Sequence, residues 1–388
     1  MNKHAFRATV IGGSVGGLAA ALELRRSARA EVAVYERSAG LMQARGAGVV
    51  MQPDVEWLLG QHSTKASDIC VRLHERVQLN GNGQTFRQRA PQLMTAWDTL
   101  YSALRRPLQD SCYRQDSELV ELRQNGERVE VRFADGYETS GDFLIAADGV
   151  NSDCRAILVG NAAAEYAGYV AWRGLENESD LPADLVRELA DRFTLFHTSG
   201  MQMLCYLVPG LDGGTTEGRR RVNWVWYINT PEQSLTTVLT GKSGRYYRSF
   251  VPAGEVGRDA EAQVHELAAT HLPTVFRELV SRSRLFLQPV QDVAAQPRLH
   301  SRCALIGDAA GTVRPHTASG TSKAFADATL LAMALGGWST GHPLPRDRLQ
   351  CWERQRQGDL AMISRMGRGL AASSGLGVED APQPWRTG

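Results

Sequence analysis

The sequence has few of the features that mark secreted, metal-binding or membrane-spanning proteins. Its six cysteines are scattered and form no C-x-x-C pair, so we expect free thiols and neither a disulfide framework nor a metal site. The longest apolar run, "ATLLAMALGGW", is shorter than the roughly 20 residues of a membrane span. The N-terminal "MNKHAFRATVIGG" enters the first predicted strand directly, which leaves no room for a signal peptide. These absences predict a cytoplasmic protein without membrane partners.

Neither sign of charge is in excess. The chain has 43 Lys and Arg against 42 Asp and Glu, a net charge of +1, so we expect no nucleic-acid partner and no attraction to an acidic membrane surface. A length of 388 residues allows one large or two intimate domains with a full-sized core. The composition leaves a homodimer open.

The stretch "TVIGGSVGGLAAALEL" (9–24) has the pattern of a nucleotide-binding turn between a strand and a helix. Gly12 and Gly17 occupy the first and last positions of G-x-G-x-x-G, and Ser14 stands at the middle one. Glu36 ends the strand "EVAVYE" 19 residues after Gly17, where a carboxylate accepts hydrogen bonds from a ribose and repels a 2′-phosphate. This pattern predicts a dinucleotide site, the alternative being a glycine-rich turn without a ligand.

The order of predicted elements divides the chain into a cofactor domain and an inserted sheet. Strand–helix–strand patterns alternate with a β-meander in the first, while aromatic strands dominate 165–229. The predicted segments are a discontinuous cofactor domain at 1–68, 93–160 and 285–340, a substrate domain at 69–92 and 161–284, a C-terminal helix at 341–372 and a flexible tail at 373–388.

Two further motifs follow apolar strands. In "LIAADGVNSDCR" the pair Asp148-Gly149 comes directly after the strand. In "ALIGDAAGTVRPHTASGTSKAFADATLLAMAL" a strand ends at Gly307-Asp308, Pro315 lies seven residues later, and a helix begins at Gly320.

These three stretches, in this order and at similar spacing, resemble the class A flavoprotein monooxygenases, the para-hydroxybenzoate hydroxylase-like family. "YERS", "GVVMQP", "YAGYVAWRG" and "RPHTASGTSKA" are most similar to its dihydroxypyridine hydroxylases. The resemblance implies an α/β fold with a discontinuous Rossmann-like FAD-binding domain, an inserted mainly antiparallel β-sheet substrate domain and C-terminal helices. It also implies FAD as cofactor and NADH or NADPH as a transient electron donor, because the chain has a single dinucleotide fingerprint.

The implied activity is hydroxylation of a small, electron-rich, hydroxylated aromatic or N-heteroaromatic ring. O₂ would react through a flavin C4a-hydroperoxide, while the protein supplies orientation, water exclusion and a base.

The resemblance also implies the role of individual residues. The ADP half of FAD would be held by Gly12, Ser14, Val15, Gly16, Gly17 and Glu36, with Arg37 and Arg45 beside the pyrophosphate and Leu119 at the adenine. Asp308 would bind the ribityl chain, and Asp148 and Gly149 would line the channel shared with the nicotinamide. Pro315 would stand over the isoalloxazine, whose N1 edge would face the amides of Gly320, Thr321 and Ser322. A helix N-terminus there stabilises negative charge on reduced flavin.

The substrate side offers fewer signals. His316 follows the proline at the flavin, and with an ordinary pKa near 6.5 it could act as the base, or it could only cap the turn. Tyr206 is the second catalytic candidate. Asn223, Tyr227 and His197 are further pocket candidates, although each also suits a structural position.

Two alternatives stay open. Departures from the family pattern at Ser14, Trp97, Ala146, Ala318 and Ser322 motivate a non-catalytic flavin-binding accessory protein. The stretch "WVWYIN" (224–229) is similar to the W-x-W-x-I-P signature of flavin-dependent halogenases and motivates a tailoring oxidase or halogenase. Alternation of Trp224 and Trp226 instead predicts one buried face of a strand.

Overall fold

The computed structural model describes residues 5–40, 48–80, 84–160 and 163–385, and their strands form three sheets. The strands are β1 (Arg7–Ile11), β2 (Glu31–Tyr35), β3 (Gly48–Val50), β4 (Val71–Leu79), β5 (Thr85–Ala96), β6 (Tyr113–Arg114), β7 (Leu119–Gln124), β8 (Val129–Phe133), β9 (Glu138–Gly141), β10 (Phe143–Ala146), β11 (Glu165–Asn177), β12 (Arg192–Thr198), β13 (Met201–Pro209), β14 (Arg220–Asn229), β15 (Phe286–Asp292), β16 (Leu299–His300) and β17 (Cys303–Leu305).

Helices connect and cover these sheets. They are α1 (Val15–Glu23), α2 (Pro53–Gln61), α3 (Trp97–Arg105), α4 (Asp153–Val159), α5 (Ala183–Leu189), α6 (Leu235–Val238), α7 (Arg258–His271), α8 (Thr274–Arg282), α9 (Gly320–Ala334) and α10 (Arg346–Ala372). In the described ranges, none of these helices is long and apolar enough to cross a membrane.

The six-stranded sheet forms the core of the cofactor domain, in the order β16-β17-β10-β1-β2-β6. Its strands are parallel except for β16. The "FLIA" of β10 is fully buried, as expected for a parallel strand covered on both faces. Apolar residues of α1, α3 and α9 pack on one face, and the three-stranded meander β7-β8-β9 covers the other.

The eight-stranded sheet has the order β15-β11-β14-β13-β12-β4-β5-β3, and most of its pairs are antiparallel. One face is apolar and packs against α5–α8. Trp224 and Trp226 of "WVWYIN" are fully buried on that face. The motif therefore forms a core strand, as the alternation predicts. The α/β class with a separate antiparallel sheet is confirmed.

Sheet membership differs from the predicted domain segments at three places. β3, the end of β5 and β15 pair within the eight-stranded sheet, although the prediction assigned residues 48–50, 93–96 and 286–292 to the cofactor domain. The reason is physical: alternation of apolar residues predicts a strand, but it does not determine which neighbour the strand pairs with.

The predicted flexible tail is ordered over residues 373–385. Leu376 and Trp385 are buried, and the Trp385 ring stacks on Trp172 with centroids 5.3 Å apart. Asn229, at the end of β14, donates from Nδ2 to the carbonyls of Gly375 and Pro382 at 2.8 and 3.0 Å. The prediction of disorder is wrong there. It rested on the polar composition of the tail, which gives no information on contacts with residues that are distant in sequence.

Candidate active site

The three sequence motifs meet at the carboxyl ends of neighbouring parallel strands. Ile11 at the end of β1 pairs with Ala146 of β10, and Ala146 pairs with Leu305 of β17. The turns that follow these strands therefore lie side by side, at the edge where ligands bind in open parallel sheets. The fold therefore places next to one another the strand ends at which the three motifs lie.

Close packing explains two glycines of the first turn. Gly12 has φ +102°, and a Cβ there would lie 2.3 Å from the carbonyl oxygen of Ala147. A Cβ on Gly17 would lie 1.9 Å from the carbonyl oxygen of Gly12. Larger residues at either position would separate β1, α1 and the Asp148 turn. Between these glycines, Ser14 is the extended N-cap residue of α1, and Val15 is its first residue.

The motifs also converge on Ala324 of α9. Cβ atoms built on Gly16 and on Gly307 would each lie 3.4 Å from the Ala324 side chain. The N-terminal parts of α1 and α9 thus approach each other next to the Gly307-Asp308 turn. Two helix N-termini near one turn create a favourable environment for a pyrophosphate.

A cleft of about 1100 Å³ runs along this edge. Its volume exceeds the roughly 300–1,000 Å³ of ordinary ligand pockets, as a dinucleotide requires. The predicted cofactor residues that line it are Gly12, Ser14, Glu36, Arg37, Leu119, Asp148 and Gly149. The cleft is also lined by the segment 245–250 and by Gln288 of β15. It therefore connects the nucleotide turn with the eight-stranded sheet.

Glu36 has the surroundings expected of a ribose ligand. Its buried carboxylate accepts the backbone N–H of Gly13 at 2.8 Å and of Ser38 at 2.9 Å. A carboxylate offers about four lone-pair positions, so acceptor capacity remains for ribose hydroxyls. The Tyr113 hydroxyl donates to the Gly13 carbonyl and supports the same turn.

Of the two arginines predicted beside the pyrophosphate, the structure describes one. Arg37 lines the cleft with a half-exposed side chain, and its Nη1 lies 4.0 Å from the Asp153 carboxylate. Arg45 lies outside the described residues.

Asp148 shapes the second turn. Its carboxylate accepts the Ser152 hydroxyl at 2.6 Å and the Cys154 N–H at 3.0 Å, and it thereby supports the start of α4. Burial raises the pKa of Asp148 above its ordinary value. Gly149 has φ +81° and open space where a Cβ would stand, so this turn leaves room on the cleft side.

A buried lysine that the sequence analysis missed holds the Gly307-Asp308 turn. Lys323 Nζ donates to the carbonyls of Gly307 and Gly311 at 2.6 and 2.7 Å and lies 3.7 Å from the half-exposed Asp308 carboxylate. Burial lowers the pKa of Lys323, against the raising effect of Asp308. The sequence pattern that could have indicated this role is the spacing of Lys323 and Asp327, which lie four residues apart on one face of a helix.

The residues before α9 form a short turn over Pro315–Thr317. Ala318 then adopts a left-handed conformation at φ +53°, and its carbonyl accepts Gln52 Nε2 at 2.9 Å. α9 begins with Gly320 and Thr321, and a Cβ on Gly320 would meet no atom within 4 Å. The Ser322 hydroxyl donates to the Asp54 carboxylate at 2.5 Å, so Ser322 can offer a ligand its backbone amide but not its hydroxyl proton.

The surroundings of His316 differ from the open position that a catalytic base with an ordinary pKa requires. Nδ1 lies 2.8 Å from Gln202 Oε1, and Nε2 lies 3.0 Å from the Tyr169 hydroxyl. Burial and the nearby charge of Arg314 lower the pKa of His316 to about 4. The assumption of an ordinary pKa is wrong, because both ring nitrogens are engaged and the ring is mostly shielded from water.

The remaining substrate-side candidates separate into two groups. Tyr206 and Tyr227 are buried on the face of the eight-stranded sheet that looks toward His316, and Asn223 pairs in register with Tyr206. Burial raises the pKa of both tyrosines, so neither suits the role of a base at neutral pH. His197 is exposed and lies beside the C-terminal segment, away from the cleft.

Comparison with known proteins supports the same interpretation. A family model described as FAD binding domain-like matches residues 166–292. The 2,6-dihydroxypyridine 3-monooxygenase of Paenarthrobacter nicotinovorans is 33% identical over 365 residues, which cover 93% of this chain and 89% of that protein. The salicylate hydroxylase of Pseudomonas putida is 26% identical over 369 residues, 86% of this chain and 78% of that protein.

Among solved structures, the 2,6-dihydroxypyridine-3-hydroxylase from Arthrobacter nicotinovorans superposes with a TM-score of 0.89. It is 29% identical in sequence, and the match covers 100% of both chains. The resemblance inferred from the motifs is confirmed. The chain belongs to the family of FAD-dependent aromatic-ring monooxygenases.

Proposed function

We propose that this protein uses NADH or NADPH and O₂ to hydroxylate a small hydroxylated ring of the hydroxypyridine class. The observation that carries the proposal is the continuity of the cleft, which runs from the dinucleotide turn to Gln288 of the eight-stranded sheet. The similarity to a dihydroxypyridine monooxygenase over nearly the whole chain supports the substrate class.

The residues of the cofactor domain suit FAD. Glu36 would accept the adenosine ribose hydroxyls, Leu119 would face the adenine, and the N-terminal amides of α1 would face the pyrophosphate. Asp308 is half-exposed beside Lys323 and would accept a ribityl hydroxyl. Bound FAD supplies the hydride acceptor and the oxygen-transfer chemistry, and the protein supplies binding, orientation and electrostatics.

The start of α9 would face the N1 edge of the flavin. Gly320 and Thr321 leave their amides open there, and the positive end of the helix dipole favours negative charge on the reduced ring. The hydrogen bonds of His316 hold the preceding turn, with Pro315, against the eight-stranded sheet. His316 would therefore position the turn and not remove a proton from the substrate.

The nicotinamide donor would bind transiently. The chain has one dinucleotide fingerprint, and Asp148 and Gly149 line the same cleft as the FAD-binding turn. A homodimer, a cytoplasmic location and the lack of a nucleic-acid partner stay predictions.

The test is a substrate screen with the purified holoprotein. We expect yellow protein that releases FAD and not FMN, and oxidation of NADH or NADPH that 2,6-dihydroxypyridine or a related hydroxypyridine stimulates. Mass spectrometry should show one added oxygen atom in the product. Protein that retains FAD while no hydroxypyridine or phenol stimulates turnover would instead support the accessory flavin-binding alternative.

A further inference from the structure

Within the part of the chain that the structure describes, β11 carries a buried cation without a hydrogen-bond or ion-pair partner. Arg173, in "YAGYVAWRG", is 7% exposed, and its Nε has no hydrogen-bond partner. Across the described ranges it forms no ion pair with a carboxylate, whereas the equally buried Arg221 of β14 binds both oxygens of Asp98 at 2.8 Å. A buried charge is costly unless it is paired. The Arg173 guanidinium therefore has donor capacity available for a negatively charged ligand.

The position of Arg173 indicates where that partner lies. In register, Arg173 stands opposite Val225 of β14 and Phe286 of β15. Directly opposite residues share one face of a sheet, so this face also presents Tyr227 and Gln288, which stand opposite Ala171. Gln288 lines the cleft. The guanidinium thus belongs to the sheet surface that the cleft reaches.

The same surface approaches the flavin-side turn. The rings of Tyr227 and His316 have centroids 4.7 Å apart. The positive charge of Arg173 opposes the effect of burial on the pKa of Tyr227 and of Tyr206, as expected for groups that share one face of the sheet. A ring bound on this surface near Pro315 would lie on the same face of the sheet as Arg173.

A second donor on this face is also unused. The Asn223 side chain is fully buried, and its Oδ1 accepts the Gly48 N–H at 3.0 Å. Among the described residues, its Nδ2 finds no acceptor with good hydrogen-bond geometry, although its contact with the Tyr206 hydroxyl lowers the pKa of that tyrosine. Two unused donors, one of them charged, on one buried surface favour an acceptor that carries negative charge.

We propose that Arg173 binds an anionic oxygen of the ring substrate and determines its orientation. This inference rests on the proposed function. The ring would enter as the anion already present in solution, so no side chain needs to remove the proton of its hydroxyl group. That agrees with the lowered pKa of His316 and the raised pKa of Tyr206, which disfavour either residue as a base. An anionic ring is also the more nucleophilic form.

The anionic oxygen could be a ring oxyanion or a carboxylate substituent, and two probes distinguish them. We would titrate FAD-loaded protein with 2,6-dihydroxypyridine, which has ring oxygens only, and with 6-hydroxynicotinate, which adds a carboxylate. Binding is followed by the change in the flavin absorption spectrum between pH 5 and 9. In the parent protein, affinity for 2,6-dihydroxypyridine should rise with pH along the ionisation curve of the free ring.

Arg173→Met should weaken binding by about 100-fold, the loss expected for a charge-assisted hydrogen bond in a buried site. Arg173→Lys should recover part of the lost affinity, because lysine keeps the positive charge but lacks the planar set of guanidinium donors. A loss for both probes assigns the ring oxyanion, and a loss for 6-hydroxynicotinate alone assigns the carboxylate. The exposed Arg87→Met of β5 serves as the control and should bind both probes as the parent does.

Stability provides a readout that separates binding from structure. Since the Arg173 charge is unpaired, Arg173→Met should unfold at the same or a higher urea concentration than the parent, whereas Arg221→Met should unfold at a lower one. Equal affinity of Arg173→Met and parent for both probes would overturn this inference and leave the proposed function standing. Parent protein that binds neither ring and shows no ring-stimulated NAD(P)H oxidation would overturn both.

Discussion

The Tyr169 hydroxyl donates to Nε2 of His316 across 3.0 Å, which joins β11 to the turn before α9. The donor assignment follows from the other ring nitrogen: Gln202 Oε1 can only accept, so Nδ1 of His316 carries the proton. The imidazole is thus held neutral in a single tautomer. Its two hydrogen bonds fix the position of Pro315 relative to the sheet.

This arrangement predicts a pH-dependent stability. The pKa of His316 is lowered to about 4, so below pH 6.5 the unfolded chain takes up a proton that the folded protein does not. The free energy of unfolding should therefore fall between pH 6.5 and 4, by about 2–3 kcal/mol from this residue. We expect His316→Gln to reduce that pH dependence, measured by urea unfolding at pH 5 and 7.5. An unchanged pH dependence in the variant would show that His316 titrates normally.

Glu36 should contribute to FAD affinity through its charge. Glu36→Gln keeps the side-chain shape but leaves one acceptor oxygen for the Gly13 and Ser38 amides and the ribose. We expect FAD binding to weaken by about 1–3 kcal/mol, the range for a hydrogen bond to a charged group. Flavin fluorescence titration of the apoprotein measures it. Glu31→Gln, on the exposed start of the same strand, should bind FAD normally, and equal affinities of the two variants would remove the ribose role.

Asp327 should be essential for the cofactor turn. It is fully buried, accepts the Gly307 N–H at 2.9 Å, and binds Arg298 and Arg356 at 3.0 and 2.7 Å. Burial alone would raise the pKa of Asp327, but the neighbouring positive charges hold it below its ordinary value. Asp327→Asn leaves the buried Arg298 guanidinium without a carboxylate and Arg356 with Asp359 alone, and it should cost about 3–5 kcal/mol of unfolding free energy.

The control for Asp327 is Asp359→Asn, because Asp359 pairs with the same Arg356 from a partly exposed position. That variant should lose no more than about 1 kcal/mol. Urea unfolding and FAD content measure both changes. Similar losses in the two variants would mean that the buried cluster has no special role.

The FAD-binding edge could be predicted from the sequence because its signals are local. The Gly12–Gly17 turn and Glu36 follow from constraints within one strand–helix–strand unit, and both line the cleft as expected. The environment of His316 depends on Tyr169 and Gln202, which are 147 and 114 residues away in sequence. No local pattern encodes such contacts, so its lowered pKa could not be foreseen.

Features that depend on strand pairing could not be predicted from the sequence either. "YAGYVAWRG" was informative as a family motif, but the isolation of Arg173 became visible only when its strand neighbours were known. Lys323 was also overlooked, because a lysine in a helix is usually exposed. Its burial follows from two carbonyls of the preceding turn.

The ordered C-terminal segment gives the last prediction. Trp385 is buried against Trp172. Asn229 holds the C-terminal segment before Trp385 by hydrogen bonds to the carbonyls of Gly375 and Pro382. Trp385→Ala should lower the free energy of unfolding by about 3 kcal/mol, the lower end of the range for a buried aromatic, because the end of a chain can relax.

The matched control is Trp57→Ala, since Trp57 is half-exposed on α2 and its cation–π contact with Arg26 limits the expected loss to about 1 kcal/mol or less. Both variants are compared by urea unfolding. Removal of residues 374–388 should also expose Trp172 and shift the tryptophan fluorescence to longer wavelength. If the tail were disordered, as its composition predicts, neither Trp385→Ala nor the truncation would change stability, and the fluorescence of the remaining tryptophans would keep its wavelength.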